Sequence, residues 1–274
     1  MMIKNTPHDC MGAQPIWRKF FIALTLLANP WVLLMDKIGL IKSPLYKTFS
    51  GIKFWTRGKT TDINDAVVVL SGNEYPDELL GLSQDLQSSP VVLDLGGHIG
   101  TFAMLIKSRW KNAKIFSMEP VKSNQDLFAK NIQANNYQDV VLIPKALFDQ
   151  AGQYYIDFSG KQFDALTVSR VKPHHGDYIV IDAISLDQLL GQYQIELIDL
   201  VKMDIEGSEY IVLPKCLDQL SKVAKRLIME YHPAGDQAKR NQLVQLFDEA
   251  GWELFYETKN ILGFDNNTLK HEKQ

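Results

Sequence analysis

The sequence predicts an α/β fold built on a mostly parallel β-sheet, and three observations support this prediction. From residue 91 onward, short apolar runs alternate with amphipathic segments of helical periodicity. This alternation is typical of βαβ units, whose helices cover both faces of a parallel sheet. A glycine-rich turn follows the first apolar run. The last two runs, residues 252–256 and 261–264, are separated by a short turn, which predicts an antiparallel hairpin at one sheet edge.

Residues 1–50 are predicted to form a helical N-terminal extension. Residues 20–35 are almost entirely apolar, but Asn29-Pro30 interrupts them, and a membrane-spanning helix needs about 20 apolar residues. We favour a pair of short helices that cover the core. The alternative is a peripheral membrane contact through residues 16–35, with aromatic and basic side chains at the interface. These side chains are Trp17, Arg18, Lys19 and Trp31.

The remaining elements follow from local patterns. Residues 51–80 are predicted to be a short β-containing segment, with strands at 52–55 and 66–70. Residues 81–265 form the main domain and residues 266–274 a tail. Strands are predicted at 91–93, 115–118, 140–143, 200–203 and 227–229, and helices at 101–110, 124–135, 185–190, 208–220 and 237–250. Between residues 148 and 187, glycines at 152, 160 and 176 predict hairpins and loops.

Composition excludes several classes of function. The 274 residues include 29 Lys and Arg against 32 Asp and Glu, so a broad nucleic-acid surface is not expected. Cys10 and Cys216 are far apart, which indicates neither a disulfide framework nor a structural zinc site. A reducing cytoplasm, with or without membrane association, is the expected location. Nothing in the sequence indicates the oligomeric state or a set of metal ligands.

The strongest local signal lies in residues 91–100, VVLDLGGHIG. A buried strand ends near Asp94, turns through Gly96 and Gly97, and starts a helix at Gly100. Glycine permits close approach of a ligand to such a turn, and the helix N-terminus offers free N–H groups. Asp94 could then accept a hydrogen bond from a ligand ammonium group. The same pattern also permits an ordinary strand-to-helix turn without a ligand.

Glu119 ends the next predicted strand. An acidic residue about 20 positions after a glycine turn is placed to bind both hydroxyls of a ribose. This position fits an adenosine cofactor, either S-adenosylmethionine (SAM) or NAD. The adjacent glycine pair, with Asp94 two residues before it, favours SAM over the GxGxxG pattern of dinucleotide sites. The alternative for Glu119 is a solvated strand end.

A second group of polar residues follows two later strands. Lys202, Asp204 and Glu206 surround the end of one strand, and His232 follows the next. The carboxyl ends of strands in an open α/β sheet line the ligand crevice. His232 has a pKa suited to a general base. Structural alternatives remain, because Glu206 could cap the following helix and Lys202 could simply pair with Asp204.

Together these segments resemble the FkbM-type family of SAM-dependent methyltransferases. The resemblance covers about residues 60–232, and the segment around KMDIEGSE is its most specific part. The matching segments are VVLDLGGHIGTFA at 91–103, FSMEP at 116–120, NIQANN at 131–136, IPKALFD at 143–149, ISLDQLL at 184–190, LIDLVKMDIEGSEYIVL at 197–213 and IMEYHP at 228–233. One departure is Gly97, where the family often has alanine.

The resemblance implies a class I methyltransferase Rossmann-like fold, whose seven-stranded, mostly parallel sheet ends in an antiparallel hairpin. It implies methyl transfer from SAM, mostly to oxygen. It assigns the methionine end of SAM to Asp94, Gly96, Gly97 and Gly100, and the ribose to Glu119. It places Ala146 and its neighbours near the adenine, and Asp204 and Glu206 in the active site.

The expected reaction is O-methylation of a sugar, glycolipid or small-molecule hydroxyl. Asp204 or His232 would act as the base, and Lys202 would orient the acceptor or a carboxylate. A divalent metal held by Asp204 and Glu206 is a further option. Two alternatives remain at this point: an NAD-dependent oxidoreductase, which the glycine turn and Glu119 permit, and a non-catalytic SAM-binding module.

Overall fold

The computed structural model describes residues 16–83, 88–157, 167–173, 178–232 and 235–270. In chain order the elements are α1 (Ile16–Leu26), α2 (Trp31–Lys37), β1 (Leu45–Lys47), β2 (Lys53–Trp55), α3 (Asp62–Leu70), α4 (Asp77–Leu80), β3 (Val91–Leu95), α5 (Thr101–Arg109), β4 (Lys114–Met118), α6 (Lys122–Ala134), β5 (Val140–Ile143), β6 (Ala146–Leu147), β7 (Gly152–Asp157), β8 (Thr167–Ser169), β9 (Tyr178–Ile184), α7 (Leu186–Tyr193), β10 (Leu200–Met203), α8 (Glu209–Val223), β11 (Arg226–Glu230), α9 (Gln237–Glu249), β12 (Trp252–Glu257), β13 (Ile261–Asn266) and α10 (Asn267–Lys270).

The main sheet has seven strands in the order β12-β13-β11-β10-β3-β4-β5. Strands β11, β10, β3, β4 and β5 run parallel, whereas β13 is antiparallel to both β11 and β12. This arrangement confirms the predicted class I methyltransferase fold and its C-terminal hairpin at the sheet edge. The chain moves outward from β3 in both directions, so the ligand crevice is expected above the carboxyl ends of β3 and β10.

Both faces of this sheet are covered by apolar side chains. Along β3, Val92 packs into one hydrophobic cluster and Leu93 into the other. Alternate residues of a strand point to opposite faces, so a strand buried on both sides needs a nearly continuous apolar run. This requirement explains why the strands of the main domain could be recognised from sequence.

The N-terminal residues form two short helices, α1 and α2, as predicted. Ala23, Leu27, Val32 and Leu33 are buried in the cluster that also contains Val92. Within the described ranges, no helix is both long and apolar enough to cross a bilayer. The extension is not helical throughout, because β1 pairs antiparallel with β2.

Two further predictions are wrong. Residues 66–70, predicted to be a strand, form the second half of α3. They are buried throughout, and burial between packed elements outweighs the strand preference of a valine run. Residues 267–270, assigned to a tail, form α10, and Asn266 is buried, donating its Nδ2 hydrogens to the carbonyl oxygens of Ser221 and Ala224. The end of the tail, residues 271–274, lies outside the described ranges.

A second sheet of four strands, in the order β6-β9-β7-β8, interrupts the βα alternation. The antiparallel pairing of β7 with β8 and β9 confirms the predicted hairpins. Ser185 starts α7 with a capping box, in which its hydroxyl accepts from the backbone N–H of Gln188. Gly160 and Gly176 lie outside the described residues.

Candidate functional site

A cavity of about 710 Å³ opens above the carboxyl ends of the parallel strands. Its size is within the range of small-molecule and cofactor sites. Eight of the ten predicted site residues line it, namely Gly96, Gly97, Glu119, Ala146, Lys202, Asp204, Glu206 and His232. The other two, Asp94 and Gly100, belong to the same strand-turn-helix unit but are not part of the lining: Asp94 lies at the end of β3, and Gly100 is the N-cap of α5.

The glycine turn between β3 and α5 leaves no room for a side chain at Gly96 or Gly97. Gly96 has a φ of +87°, and a Cβ there would lie 1.9 Å from the carbonyl oxygen of Asp204. A Cβ on Gly97 would lie 2.2 Å from Ser117 Oγ. The backbone can therefore run close to β10 and β4, and a ligand can reach the turn.

Asp94 provides a buried acceptor next to this turn. Its side chain is fully buried, and Oδ2 accepts a hydrogen bond of 2.7 Å from Ser117. Oδ1 lies 3.4 Å from Lys202 Nζ but accepts no hydrogen bond. Burial raises the pKa of Asp94, although the charge of Lys202 opposes this shift. Oδ1 is thus a buried acceptor without a donor, and the ammonium group of an amino-acid ligand fits this requirement.

Glu119 lies at the end of β4, where it also contacts the glycine turn. Oε2 accepts from the backbone N–H of His98 at 2.9 Å, and Oε1 accepts from that of Val121 at 2.8 Å. Burial raises the pKa of Glu119 to about 7, even though these two hydrogen bonds favour the carboxylate. The carboxylate is thus rigidly oriented, and its ionisation changes near neutral pH.

The resemblance implies that Glu119 binds the ribose of SAM. We therefore expect the affinity for S-adenosylhomocysteine, the demethylated product of SAM, to rise with pH. Its carboxyl is mostly protonated below about pH 7 and then cannot accept hydrogen bonds through both oxygens. Titration calorimetry should show a Kd that falls by up to about tenfold between about pH 6 and pH 8. The Glu119→Gln variant should bind more weakly, and its Kd should not change over this range. A wild-type Kd that is independent of pH would argue against the role of Glu119.

Lys202 connects the glycine turn to Asp204. Its Nζ donates to the carbonyl oxygen of Gly96 at 2.7 Å and lies 3.5 Å from Asp204 Oδ2. Burial by itself lowers the pKa of Lys202, but the carboxylates of Asp204 and Asp94 raise it above its ordinary value. Lys202 is therefore charged and lies within ion-pair distance of both carboxylates.

His232 lies near Asp204 and contacts two glutamates. His232 Nδ1 lies 3.3 Å from the buried Glu209 Oε1, and Nε2 lies 3.7 Å from Glu206 Oε2. Burial lowers the pKa of His232, but the bond to Glu209 and the nearby carboxylates raise it to about 9. The alternative role for Glu206, capping the next helix, is not observed, since α8 has no side-chain cap.

Several residues of the cavity were not assigned to the site from the sequence. Arg57 pairs with the buried Asp62, and its Nη2 lies 3.1 Å from His98 Nε2. Glu74 and Glu230 also line the cavity, and burial raises the pKa of Glu74 to about 8. Asp62 and Glu74 lie within residues 60–232, the range that resembles the family, and this range was the available signal. Nothing in the sequence pointed to Arg57.

Three side chains could hold a divalent cation. Asp204, Glu230 and His232 each bring a potential ligand atom within 4.8 Å of the others. A bound cation would require a neutral imidazole, whereas the surroundings of His232 favour the protonated ring. The set differs from the pair of Asp204 and Glu206 that the sequence suggested, because the adjacent strands bring Glu230 and His232 next to Asp204.

Gly97→Ala is expected to destabilise the protein, although the family often has alanine here. The new Cβ would meet Ser117 Oγ and the ring of Phe128 at 2.2 and 3.1 Å. Overpacking of this kind costs about 1–3 kcal/mol in free energy of unfolding, measurable by denaturant titration. Ser117→Ala removes both this contact and the hydrogen bond to Asp94, so it should cost less stability in the Gly97→Ala variant than in the wild type. As a control, Gly191→Ala meets no atom within 4 Å and should not destabilise.

Comparisons with known proteins identify the family. Residues 94–262 match the family described as Methyltransferase FkbM domain. The chain is 24% identical over 200 residues to Methyltransferase sdnD of Sordaria araneosa, covering 62% of this chain and 76% of that protein. It is 25% identical over 206 residues to Hexuronic acid methyltransferase AglP of Haloferax volcanii, covering 75% of this chain and 81% of that protein.

Two solved structures also resemble the chain. Precorrin-6y C5,15-methyltransferase from Geobacter metallireducens GS-15 has a TM-score of 0.44 at 13% identity, and the match covers 77% of this chain and 91% of that chain. M. jannaschii TYW2 in complex with AdoMet has a TM-score of 0.42 at 14% identity, with coverage of 82% and 87%.

The family match spans the glycine turn, Glu119 and the strand ends around Asp204. The buried acceptor of Asp94 and the close-packed glycines fit the amino-acid end of SAM, which is the cofactor. A family of methyltransferases gives no support to the NAD-dependent alternative. The chain belongs to the FkbM family of SAM-dependent methyltransferases.

Proposed function

We propose that this enzyme methylates a hydroxyl group and that Asp204 is the general base. The observation that carries the proposal is the position of Asp204 in the cavity lining, held by Lys202 beside the glycine turn. When bound, SAM supplies an electrophilic methyl group. Asp94 and the glycine turn would hold its methionine end, Glu119 its ribose, and the region of Ala146 its adenine.

The positive charges of His232 and Lys202 leave Asp204 as the better candidate base. An alcohol is a weak nucleophile, so a group that accepts its proton accelerates attack. His232 has a pKa of about 9 and already carries a proton at neutral pH. Lys202 is also charged. Asp204 lines the cavity with 28% of its side chain accessible, so the acceptor hydroxyl can approach its carboxyl group.

The polar lining supports a sugar hydroxyl as the acceptor. Glu74, Glu206, Glu230 and Asn260 line the cavity near Asp204. Carboxyl and amide groups donate or accept hydrogen bonds, and a sugar offers several hydroxyl groups at short spacing. AglP, named as a hexuronic acid methyltransferase, is consistent with a carbohydrate acceptor. A glycolipid or another small-molecule hydroxyl would satisfy the same chemistry.

The proposal is tested by incubating the enzyme with SAM labelled in its methyl group and a panel of sugars, glycolipids and other alcohols. Mass spectrometry of the product should place the label on oxygen. Transfer to nitrogen or carbon would contradict O-methylation. Heat-denatured enzyme controls for spontaneous methylation.

A further inference from the structure

The two N-terminal helices expose an apolar surface that we call the α1–α2 surface. On α1 its members follow the i, i+3, i+4, i+7 spacing of one helical face, and the buried Ala23 lies on a different side of the helix. A helix side that faces water normally carries polar residues. The members, each at least 38% exposed, are Trp17, Phe20, Phe21, Leu24, Trp31, Leu34, Ile38, Leu40 and Phe49.

Contacts between α1, α2 and the β1–β2 turn bring these side chains to one part of the molecule. Lys37 Nζ of α2 lies 5.4 Å from the ring centroid of Phe20 on α1, so the exposed sides of the two helices adjoin. Trp17 and Phe21 make an edge-to-face contact with ring centroids 6.2 Å apart. The backbone N–H of Phe49 donates to the carbonyl oxygen of Leu26, which brings the β1–β2 turn to the end of α1. Contiguous apolar patches of this kind mark interaction sites.

The charge around this surface identifies its partner. Residues 16–60 contain eight lysines and arginines, of which Lys19 and Arg57 line the cavity, and a single acidic residue, Asp36. Asp36 is buried and bonded to the hydroxyl of Tyr46 and the backbone N–H of Lys59, so it does not offset the basic side chains at the surface. Residues 61–274 show the opposite balance, with 20 basic and 30 acidic residues. Apolar and aromatic side chains bordered by basic ones are typical of proteins that bind at a bilayer interface.

We propose that the α1–α2 surface docks on a bilayer that carries anionic lipid headgroups. Tryptophans at positions 17 and 31 would lie at the headgroup level, and Lys37, Lys42 and Lys47 would contact the anionic headgroups. The active-site cavity is next to this surface, because Lys19 of α1 lines the cavity and α1 packs against α3. A docked enzyme would therefore meet acceptors held at the membrane. This last step, that the methylated hydroxyl is carried on a lipid, rests on the proposed function.

Flotation of the full chain with lipid vesicles tests the docking without using the methyltransferase reaction. The protein should float with vesicles of phosphatidylcholine containing about 30% phosphatidylglycerol, and less with phosphatidylcholine alone. Phe21→Glu combined with Leu34→Glu should reduce the bound fraction at least about tenfold, since both side chains would no longer insert. A triple variant, Lys37→Glu, Lys42→Glu and Lys47→Glu, should lose the preference for anionic vesicles while keeping the apolar side chains.

Matched controls are Val171→Glu and Val180→Glu, which change apolar residues of similar exposure in another part of the fold, 71% and 51% exposed. These variants should float like the wild type. The proposal is overturned if the wild type does not float, or if the control variants lose binding equally. It is also overturned if the wild type forms a dimer and does not bind vesicles, and if the combined Phe21→Glu and Leu34→Glu substitutions convert this dimer to a monomer. The combined Phe21→Glu and Leu34→Glu variant should methylate a water-soluble acceptor as fast as the wild type. A loss of this activity would count against the proposed function and not against membrane docking.

Discussion

Replacing Asp94 with alanine is expected to raise the Kd for S-adenosylhomocysteine by at least about a hundredfold, which corresponds to about 2.8 kcal/mol. Asp94 is fully buried at the end of β3, beside the glycine turn. Its loss removes the acceptor for the ligand ammonium and leaves Lys202, also buried, with one carboxylate fewer. Removing one partner of a buried ion pair costs about 3–5 kcal/mol. Titration calorimetry measures the change in Kd.

The same substitution will lower stability, so a second variant separates binding from folding. Asp94→Asn keeps the shape of the side chain and can still accept a hydrogen bond from Ser117. A thermal unfolding measurement should show that this variant is folded. It should bind S-adenosylhomocysteine at least about tenfold more weakly, because a neutral amide attracts an ammonium group less than a carboxylate does. Asp182→Asn, at an exposed position on β9, should leave the Kd unchanged. Wild-type affinity in Asp94→Asn would show that Asp94 does not bind the cofactor.

The unit from β3 to α5 could be predicted from sequence because its determinants are local. The apolar run, Asp94 and the glycines lie within ten residues, and each residue type has a short-range reason to be there. The helix α3 could not be recognised in the same way. Its valines prefer strands as isolated residues, and only the elements that pack around them make the helix the stable state.

The grouping of Asp204, Glu230 and His232 depends on strand register, which the sequence does not encode locally. Strands β10 and β11 pair so that Lys202 lies beside Ile228 and Met203 beside Met229. Continuing this register places Asp204 next to Glu230 at the cavity edge. Sequence indicated which strands end in polar residues, but not that Glu230, rather than Glu206, joins Asp204 and His232 in one cluster. The pairing of Arg57 with Asp62 next to His98 likewise depends on how the N-terminal segment packs.

Replacing Asp204 with asparagine is expected to lower kcat by about 10²- to 10⁴-fold, the usual contribution of a general base. Asparagine has nearly the same shape but cannot accept the proton of the attacking hydroxyl. The cofactor site should survive, because Lys202 still donates to the carbonyl oxygen of Gly96 and still lies beside Asp94. We therefore expect the Kd for S-adenosylhomocysteine to stay within about threefold of the wild type. Single-turnover transfer of a labelled methyl group, together with calorimetry, separates these two quantities.

Two comparison variants make this result specific to Asp204. Asp218→Asn, at an exposed position on α8, should retain full activity. His232→Asn removes the other candidate base, and it should reduce turnover less than Asp204→Asn because the imidazole, with its pKa of about 9, is already protonated at neutral pH. If Asp204→Asn turns over normally while His232→Asn does not, the base assignment is reversed. If neither substitution slows transfer, alignment of the hydroxyl with the methyl group is sufficient for the reaction, since orientation alone can supply about 7–11 kcal/mol.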